Sequence, residues 1–256
     1  MTADTRREAI AAYVIERGEA RIDDLVTEFG VSRMTIHRHV EDLARQGVLR
    51  KLHGAVSAQP SGVYESLFSF RKTRSLAAKA ALARAAVGEI EPGSVILIDD
   101  STTVNALAPH ITEVRPLTVV TNSLDLSERL SGVDEVKLIC LGGEYHPTYH
   151  AFIGHLCESA LSRLRVNLLI CSASAISRTS AMIQDPLVVR VKQAMMASAV
   201  RKVLMVDSEK FDRVALHLFA DLKEFDVVYV DDRLPVKTAD ALRAAGVSLK
   251  LVTEND

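Results

Sequence analysis

The N-terminal segment of the chain spaces its apolar side chains in the manner of a short helix. Ile10, Tyr13 and Val14 lie on one side of residues 5–17 at helical spacing, and Gly18 follows them. Intervals of three and four residues put side chains on one face of a helix, and glycine commonly ends one. The pattern therefore predicts a helix over residues 5–17.

Two further helices are predicted before residue 48. In "ARIDDLVTEFG" we expect Asp23 to cap the helix and Gly30 to end it. In "VSRMTIHRHVEDLARQG" we expect Ser32 to be the cap and Gly47 the end. The buried face of this third helix is formed by apolar residues at helical spacing: Ile36, Val40 and Leu43. Two helices joined by a short turn are the parts of a helix-turn-helix.

A hairpin and a linker complete the N-terminal part. The stretch "VLRKLHGAVSA" alternates apolar and polar residues across a glycine, which is typical of two short strands joined by a turn. Three helices followed by a hairpin predict a small winged helix-turn-helix domain over residues 1–57. The next stretch, "QPSGVYESLFSFRKTR", opens with Pro, Ser and Gly and ends in basic residues. We interpret residues 58–75 as a linker.

The pattern changes beyond residue 75. Short apolar runs rich in Val, Ile and Leu recur along the chain: Val95–Ile98, Leu117–Val120, Val136–Leu141, Leu168–Ser172, Val203–Val206, Val227–Val230 and Leu249–Val252. Helical patterns separate most of them: Leu76–Ile90, Ser123–Leu130, Gly154–Leu164, Pro186–Val200 and Thr238–Ala245. Continuously apolar strands that alternate with helices are typical of a mainly parallel sheet covered by helices on both faces. The sequence thus predicts a two-domain chain with an α/β domain over residues 76–256.

Composition excludes membrane proteins but says little about partners. The formal net charge is −2, and residues 1–75 carry 12 Lys and Arg against 10 Asp and Glu. A DNA-binding role must therefore rest on where the basic residues lie. No apolar run reaches about 18 residues, and the N-terminus lacks the pattern of a signal peptide. The three cysteines show no CxxC pairing. We expect a cytoplasmic protein without a membrane association.

On the third helix, basic and hydroxyl side chains occupy positions outside the predicted buried face. The second helix of a helix-turn-helix enters the major groove, where Arg reads guanine and Thr or His also contact bases or phosphates. We expect the following residues to face double-stranded operator DNA: Ser32, Arg33, Thr35, His37, Arg38 and His39 on the helix, and Lys51, His53 and Gly54 on the wing. The alternative is a solvated charged helix, which Glu41, Asp42 and Arg45 fit equally well.

This region resembles the N-terminal signature of DeoR-type bacterial repressors, roughly V-S-x-x-T-I-R-R-D-L-x-x-L-x-x-x-G-x-L-x-R-x-H-G-G-A. The matching residues are Val31, Ser32, Thr35, Ile36, Arg38, Leu43, Gly47, Leu49, His53 and Gly54. His37 replaces the first Arg of the signature, His39 its Asp, Val40 its Leu and Ala55 its second Gly, and Lys51 lies near the usual wing Arg. The resemblance implies a repressor whose histidines alter base preference. Because such helices usually read half-sites in pairs, we expect a homo-oligomer, a dimer or tetramer.

Small, polar or cationic residues follow four of the predicted strands. They are Asp99, Asp100, Ser101, Thr102 and Thr103 after one strand, and Thr121, Asn122, Ser123, Gly142, Gly143, Asp207, Ser208 and Lys210 after three others. Any one group is as well explained as a helix cap or a turn. Open parallel sheets, however, bind ligands at the carboxyl ends of their strands, where backbone N–H groups hold anions. Together the four groups favour a ligand site.

The same segments resemble the effector domain of DeoR-type repressors, with its K-x-x-I-A, L-D-x-G-T-T, V-T-N-S, G-G…F-V-G and D-x-S-K-F stretches. The resemblance implies a fold similar to ribose-5-phosphate isomerase and a small phosphorylated carbohydrate-like effector. The effector-binding residues that it implies are Lys79, Asp99, Asp100, Ser101, Thr102, Thr103, Thr121, Asn122, Gly142, Gly143 and Lys210. The hydroxyls and lysines would hold the phosphate, and the carboxylates and the amide would take hydroxyls.

Several departures from the family pattern cluster around this expected pocket. Ser101 stands where the phosphate loop has Gly, and Asn167 stands where an Asp is usual. No acidic residue directly precedes Lys192, and "CSASAISRTSAMIQ" lacks the usual glycine-containing loop. These departures favour an atypical ligand over the most common sugar phosphates.

An isomerase-like fold raises catalysis as an alternative function. Aldose–ketose isomerisation needs a base and a carbonyl-polarising group, and Asp99, Asp100 and Lys210 are the candidates. A binding pocket needs the same residue types without reaction geometry, and a fold does not transfer chemistry. With a DNA-binding domain attached, we expect a sensor with no catalytic residue, no cofactor and no metal site. His146 and His150 do not change this expectation, because the proline between them interrupts any helix.

Overall fold

The structure is a computed structural model that describes three stretches of the chain: residues 3–45, 48–58 and 68–253. The chain divides into two units, Met1–Thr73 and Arg74–Asp256. Residues 59–67 of the predicted linker lie outside the described residues, whereas Phe68–Thr73 within that linker forms a helix. In the described parts of the chain, no helix is both long and apolar enough to cross a membrane.

The first unit contains the predicted helices and hairpin. Its described elements are α1 (Ala3–Arg17), β1 (Glu19–Arg21), α2 (Ile22–Phe29), α3 (Arg33–Arg45), β2 (Leu49–Lys51), β3 (Ala55–Ala58) and α4 (Phe68–Thr73). Gly18 and Gly30 follow α1 and α2 with φ angles of +75° and +60°. Glycine adopts this left-handed conformation readily, which is why it ends helices. The predicted end of the third helix at Gly47 lies outside the described residues.

The starts of α2 and α3 test the two predicted caps. Ser32 caps α3 as expected, because its Oγ accepts a hydrogen bond from the Thr35 backbone N–H at 3.2 Å. The prediction for Asp23 was wrong. Helix α2 begins at Ile22, directly after Arg21, so that Asp23 lies in the first turn instead of at the cap. A carboxylate in the first turn still stabilises the helix through the partial positive charge of its N-terminus.

A single apolar cluster joins the helices and the wing of the first unit. Every element from α1 to β3 contributes buried side chains to it, among them Ile10, Val14, Ala20, Ile22, Leu25, Ile36, Val40, Leu43, Leu49 and Val56. Strands β2 and β3 pair antiparallel, and β1 adds to β3, so the sheet order is β1-β3-β2. The sequence did not predict β1, because three residues are too few to show alternation. This unit is a winged helix-turn-helix, as predicted.

The second unit is an α/β domain in which every predicted strand and helix is present. Its described helices are α5 (Leu76–Ala86), α6 (Ala108–Ile111), α7 (Leu124–Leu130), α8 (His155–Leu161), α9 (Pro186–Ser198) and α10 (Val236–Ala244). Its described strands are β4 (Val95–Ile98), β5 (Leu117–Thr121), β6 (Val136–Cys140), β7 (Glu144–His146), β8 (Ala151–Ile153), β9 (Val166–Cys171), β10 (Ala175–Ser177), β11 (Ser180–Ile183), β12 (Ala199–Val206), β13 (His217–Asp221), β14 (Val227–Asp231) and β15 (Leu249–Val252).

Seven of the strands just named form one parallel sheet in the order β15-β14-β12-β9-β4-β5-β6. Successive side chains of a strand point to opposite faces. Ile96 and Ile98 of β4 therefore pack with α5, α6 and α7, whereas Leu97 packs with α8, α9 and α10. Helices cover both faces, as predicted, and this double burial explains why the strands are continuously apolar. The end of the sheet where all these strands finish is called the carboxyl edge below.

Two smaller antiparallel sheets were not predicted. Strands β7 and β8 form a hairpin, and β10, β11 and β13 form the other sheet. Strands of three to five residues are too short for their periodicity to be read from the sequence. The β7–β8 hairpin borders the carboxyl edge, because Phe152 N–H donates to the Asn122 carbonyl at 2.9 Å and Leu124 N–H donates to the His150 carbonyl at 3.1 Å.

Glu89, which follows α5, links that helix to three strands. Its Oε1 accepts hydrogen bonds from the Tyr229 hydroxyl at 2.6 Å and the Lys250 ammonium at 3.0 Å, and its Oε2 accepts from Arg201 at 2.6 Å. Burial acts to raise the pKa of the Glu89 carboxyl, but these hydrogen bonds outweigh burial and lower the pKa from 4.5 to about 2. The carboxylate is therefore more stable in the folded state than in the unfolded state.

We expect the substitution Glu89→Gln to lower the free energy of unfolding by about 1–3 kcal/mol near neutral pH. In the wild type this stabilisation is present above pH 4.5 and is lost as the pH falls toward about 2, since over that range the unfolded chain takes up a proton more readily than the folded protein does. Urea denaturation followed by circular dichroism across that range measures both effects. The exposed neighbour Glu91 provides the control variant Glu91→Gln. An equal acid dependence in the wild type and in E89Q would contradict the prediction.

Candidate functional site

Helix α3 presents a cationic face to solvent. The predicted inward residues Ile36, Val40 and Leu43 are buried. The exposed residues along the opposite face are Arg33, Met34, His37, Arg38 and Glu41. At the start of the helix, the hydroxyls of Ser32 and Thr35 lie 2.9 Å apart. A helix with exposed Arg and His side chains along one face has the chemistry to read a major groove.

Met34 lies on this face, although the sequence reasoning did not select it. It is 78% exposed in the first turn of α3. Because it comes three residues before His37 and four before Arg38, it lies on their side of the helix. An apolar side chain at this place can contact the methyl group of thymine. Helical spacing alone would have identified it.

His39 lies inside the winged helix, which corrects the prediction that it faces DNA. Its side chain is 3% exposed, and neither ring nitrogen has a hydrogen-bond partner among the residues that the structure describes. The physical reason is helical geometry, because residue 39 comes three residues after Ile36 and four before Leu43. The prediction assigned only Ile36, Val40 and Leu43 to the buried face and so left His39 outside, whereas the periodicity of that face places His39 inward.

The predicted wing residues are exposed on a fixed turn. Lys51 of β2 lies 3.4 Å from Glu41 of α3, and His53 and Gly54 form the turn between β2 and β3. Gly54 has a φ of +71°, and its carbonyl accepts a hydrogen bond from Ile22 N–H at 3.1 Å. Exposed ion pairs such as Lys51–Glu41 contribute little free energy, so Lys51 can exchange its partner for a phosphate.

Asp99, at the end of β4, is fully buried at the carboxyl edge. Its Oδ1 accepts hydrogen bonds from the Ser101 N–H at 3.0 Å and the Ser101 hydroxyl at 2.5 Å. Its Oδ2 accepts from the Ser172 N–H at 2.9 Å and from the Lys192 ammonium. Both oxygens are therefore engaged by the protein. We revise the expectation that Asp99 contacts ligand hydroxyls, because this geometry gives it the task of positioning the loop.

Lys79 and Lys210 bring positive charge to the hydroxyls of the same loop. Lys79 Nζ, on α5, donates to Thr102 Oγ1 at 3.1 Å. Lys210 Nζ, after β12, donates to Thr103 Oγ1 at 3.1 Å and to Ser172 Oγ at 2.8 Å. All five side chains are buried. Lys210 Nζ also lies 3.7 Å from Asp207 Oδ2, which offsets part of its positive charge. An anion that binds at these hydroxyls would still be attracted by both ammonium groups.

Sequence reasoning missed Lys192 and Ser172 as parts of this site. Lys192 is buried in α9 and donates to the Ser172 carbonyl at 2.9 Å as well as to Asp99. Burial acts to lower the pKa of the Lys192 ammonium, but the negative charges of Asp99 and Asp100 outweigh burial and raise the pKa. The sequence offered one signal for Lys192, because it lies on the apolar helix "PLVVRVKQAM". A lysine buried on such a helix needs a partner for its charge.

The end of β5 adds further polar groups beside this loop. Thr121 Oγ1 accepts a hydrogen bond from the Ser123 N–H at 3.0 Å, which shapes the turn into α7. Asn122 Nδ2 donates to the Phe152 carbonyl of the β7–β8 hairpin at 3.1 Å. Thr121, Asn122 and Ser123 are all buried, and β5 pairs directly with β4. The polar ends of both strands therefore adjoin at the carboxyl edge.

Gly142 and Gly143, at the end of β6, have a different environment. A Cβ atom at residue 143 would clash with the Ile153 carbonyl oxygen, so the glycine there admits strand β8. Gly142 is exposed.

Hydrogen bonds join the other predicted side chains into groups around one edge: Lys79 with Thr102, Lys210 with Thr103, Asp99 with Ser101, and Asn122 with the hairpin. Asp100 is buried beside Asp99.

His146 and His150 have separate partners. His146 Nε2 lies 3.6 Å from Asp185 Oδ2, and His150 Nδ1 lies 2.8 Å from the Tyr145 hydroxyl oxygen. Within the residues that the structure describes, no group of three or more His, Cys, Asp or Glu side chains is placed to hold a metal ion.

Two family models match this chain. The model described as a DeoR-like helix-turn-helix domain matches residues 6–61. The model described as a DeoR C-terminal sensor domain matches residues 74–232. The two matched regions contain the exposed face of α3 and the lysine–hydroxyl site at the carboxyl edge, respectively.

Curated relatives align with the chain over most of their length. An uncharacterized HTH-type transcriptional regulator of Escherichia coli (strain K12) is 31% identical over 98% of this chain and 98% of its own. The L-fucose operon activator of Haemophilus influenzae is 32% identical over 90% of this chain and 92% of its own. The glycerol-3-phosphate regulon repressor of Escherichia coli is 29% identical over 98% of this chain and 100% of its own.

Solved structures resemble the chain more weakly. Ribose 5-phosphate isomerase A from Neisseria gonorrhoeae is 15% identical, with a TM-score of 0.38 over 54% of this chain and 53% of that chain. A translation initiation factor eIF-2B from Pyrococcus horikoshii is 15% identical, with a TM-score of 0.41 over 88% of this chain and 85% of that chain. Similarities of this size say nothing about activity or ligand.

The environment of His39 makes its imidazole hard to protonate. The pKa lies below its ordinary value of 6.5. The causes, in order of size, are burial and the positive charges of Arg6, Arg7 and Arg38. The negative charge of Asp42 opposes them without reversing the direction. The folded winged helix therefore favours neutral His39.

We expect the winged helix to lose stability as the pH falls from about 7 to about 5. Above pH 6.5 His39 is neutral in both states, and below it the unfolded state takes up a proton more readily than the folded state. The variant His39→Leu should remove this dependence. Hydrogen exchange of α1 and α3 in the full chain measures it, with the exposed His37→Leu as control. The prediction fails if H39L and the wild type respond equally to acid.

Proposed function

Since this chain belongs to the DeoR family of transcriptional regulators, we propose that it controls a carbohydrate-catabolism operon, as a repressor that responds to a small phosphorylated carbohydrate-like metabolite. The chain is a DNA-binding regulator, as its relatives are. The observation that carries the proposal is the combination, in one chain, of an exposed Arg and His face on α3 with a buried lysine–hydroxyl site at the carboxyl edge. The face of α3 has side chains suited to contact DNA, and the lysine–hydroxyl site has side chains suited to bind an anion.

In the proposed complex with operator DNA, α3 enters the major groove. Arg33, His37 and Arg38 contact bases or phosphates, and Met34 contacts a thymine methyl group. Arg33 already forms an exposed ion pair with Asp23 at 3.1 Å, which is weak enough to exchange for a phosphate.

The turn before α3 and the wing supply the remaining proposed contacts. Ser32 and Thr35 lie at the N-terminus of the helix, where backbone N–H groups favour a phosphate. Lys51, His53 and Gly54 hold the wing on the DNA backbone. We further propose that the regulator acts in the cytoplasm as a dimer or tetramer, because two helix-turn-helix units are needed to read paired half-sites.

In the proposed sensor site, Thr102, Thr103, Lys79 and Lys210 bind the phosphate group. The support is that each lysine already donates to one of these threonines, so that a phosphate can take the place of a hydroxyl as acceptor. Ser101 completes the loop through its bonds to Asp99.

The carbon chain of the effector is proposed to contact the groups that border this loop. Asp100 accepts hydrogen bonds from ligand hydroxyls, and Thr121 and Asn122 can accept from them or donate to them. The exposed Gly142 lies at the rim. Gly143 contributes by admitting strand β8 and so fixing the hairpin beside Asn122.

We propose that the second unit senses its ligand and does not transform it. An isomerase needs a carboxylate that can take a proton from a substrate carbon. Both oxygens of Asp99 already accept hydrogen bonds from Ser101, Ser172 and Lys192, so neither oxygen is free to meet a substrate carbon. The effector can then alter DNA binding only through a difference in its affinity for two arrangements of the regulator.

We expect Arg38→Ala to weaken binding to operator DNA by about 1–3 kcal/mol, because a bidentate contact to guanine is lost. The probe is an operator selected in vitro from random duplexes, and fluorescence anisotropy measures the affinity. Arg45→Ala, at the C-terminal end of α3, is the matched control. An affinity of R38A equal to that of the control would remove Arg38 from the interface.

We expect the double variant Thr102→Val, Thr103→Val to lose the response to effector while binding the operator as the wild type does. Valine keeps the shape of threonine but removes the hydroxyls that meet Lys79 and Lys210. Operator binding is measured by anisotropy with and without phosphorylated sugars, and Thr118→Val in strand β5 is the control. An intact response in the double variant would contradict the assignment of the phosphate loop.

A further inference from the structure

Asn105 and Asn122, at the carboxyl edge, each have a buried acceptor atom without a donor. Asn105 is 3% exposed and Asn122 is 1% exposed. Neither Oδ1 atom accepts a hydrogen bond from any residue that the structure describes. Native proteins satisfy the large majority of buried polar atoms, so an unpaired acceptor indicates a missing donor.

The orientation of both amides is determined by their nitrogens. Asn122 Nδ2 donates to the Phe152 carbonyl at 3.1 Å. Asn105 Nδ2 donates to Ser123 Oγ at 3.2 Å and to Asp125 Oδ2 at 3.4 Å. A carbonyl or carboxylate oxygen can only accept, so reversing either amide would place two oxygens against each other. The unpaired atoms are therefore acceptors, and only a hydrogen-bond donor can satisfy them.

Both amides lie beside the loop that carries Thr102 and Thr103. Asn105 comes two residues after Thr103 along the chain. Its side chain reaches across to Ser123, the residue that directly follows Asn122. The backbone of Asn105 is tied to the same loop, because its N–H donates to the Ser101 carbonyl at 3.0 Å. The two acceptors thus belong to neighbouring segments of one edge.

The charge near these amides favours a neutral donor over an anion. Asp125 is buried beside Asn105, and its carboxylate is paired with Arg129 at 3.0 Å. A second anionic group here would meet two amide oxygens and a carboxylate, whereas a hydroxyl group would donate to them.

We propose that Asn105 and Asn122 form an acceptor pair that receives hydrogen bonds from hydroxyl groups on the carbon chain of the effector, with Asn105 as a specificity-determining residue. The inference rests on the proposed function, because it concerns the ligand of the same sensor site. It narrows the effector class to polyhydroxylated phosphate monoesters. Alkyl phosphates, and phosphates whose other end is a carboxylate, leave the pair unsatisfied and bind more weakly.

The test compares matched ligands by isothermal titration of the full chain. The first pair is sn-glycerol 3-phosphate and n-propyl phosphate, and the second is D-ribose 5-phosphate and n-pentyl phosphate. Within a pair the phosphate and the number of carbons are equal, and only one member carries hydroxyls. D-ribitol supplies hydroxyls without a phosphate. The wild type should bind the hydroxylated member of at least one pair about tenfold or more tightly than its alkyl partner.

Variants at residue 105 separate acceptor chemistry from a structural role. Asn105→Ala should bring the affinity ratio of that pair to about one. Asn105→Ser keeps an oxygen that can accept from a ligand hydroxyl and introduces no charge beside Asp125, and it should retain the preference. Asn167→Asp is the matched control. The sequence predicted Asn167 near the pocket, but it lies at the start of β9, at the other end of the strand from the carboxyl edge, where its Oδ1 accepts from the Val95 N–H at 2.9 Å. It should behave as the wild type.

Each contrary outcome identifies what has failed. A wild type that binds both members of each pair equally, or an N105A variant that keeps the preference, overturns the acceptor pair and leaves the phosphate site in place. An N105S variant that fails as N105A does assigns Asn105 a structural role and also overturns the pair. Binding of ribitol but of no phosphate, lost in N105A, supports the pair and overturns the phosphorylated effector. Binding of none of these probes overturns both.

Discussion

The ion pair between Asp99 and Lys192 is the interaction on which the proposed sensor site depends. It joins the loop after β4 to helix α9, and through Ser172 both side chains also hold the end of β9. A buried charge is tolerated only while its partner and its hydrogen bonds are present, so the loss of either residue would leave an uncompensated charge. The ion pair therefore helps to hold Thr102 and Thr103 where Lys79 and Lys210 can reach their hydroxyls.

Much of this architecture could be predicted from the sequence, because burial on both faces leaves a strong signal. The continuously apolar strands indicated a parallel sheet, and parallel strands bring polar residues such as Thr103 and Asn122 to one edge. The partners of those residues could not be predicted. Lys192 meets Asp99 across 93 positions of sequence, and no local pattern encodes such a distance. The β7–β8 hairpin was also missed, because strands of three residues show no period.

The error at His39 has a different origin. His39 was counted as DNA-facing because only apolar residues were assigned to the buried face, whereas the helical period already placed it beside Ile36 and Val40 on the inner face. Met34 was passed over for the converse reason, since an apolar side chain was not considered for a DNA-facing position. In both cases the geometry of α3 was a better guide than residue chemistry. Family patterns identified the module, and helical geometry identified the outward side chains.

The sensor site draws its side chains from segments that lie far apart in the chain, from Lys79 on α5 to Lys210 after β12. A ligand held by all of them binds only the folded domain, and by mass action it raises the free energy of unfolding in proportion to the logarithm of its concentration. Proteases remove unfolded regulator faster than folded regulator. A ligand of the proposed site would therefore lengthen the lifetime of the regulator in the cell as it accumulates, and would set how much regulator is present as well as what it binds.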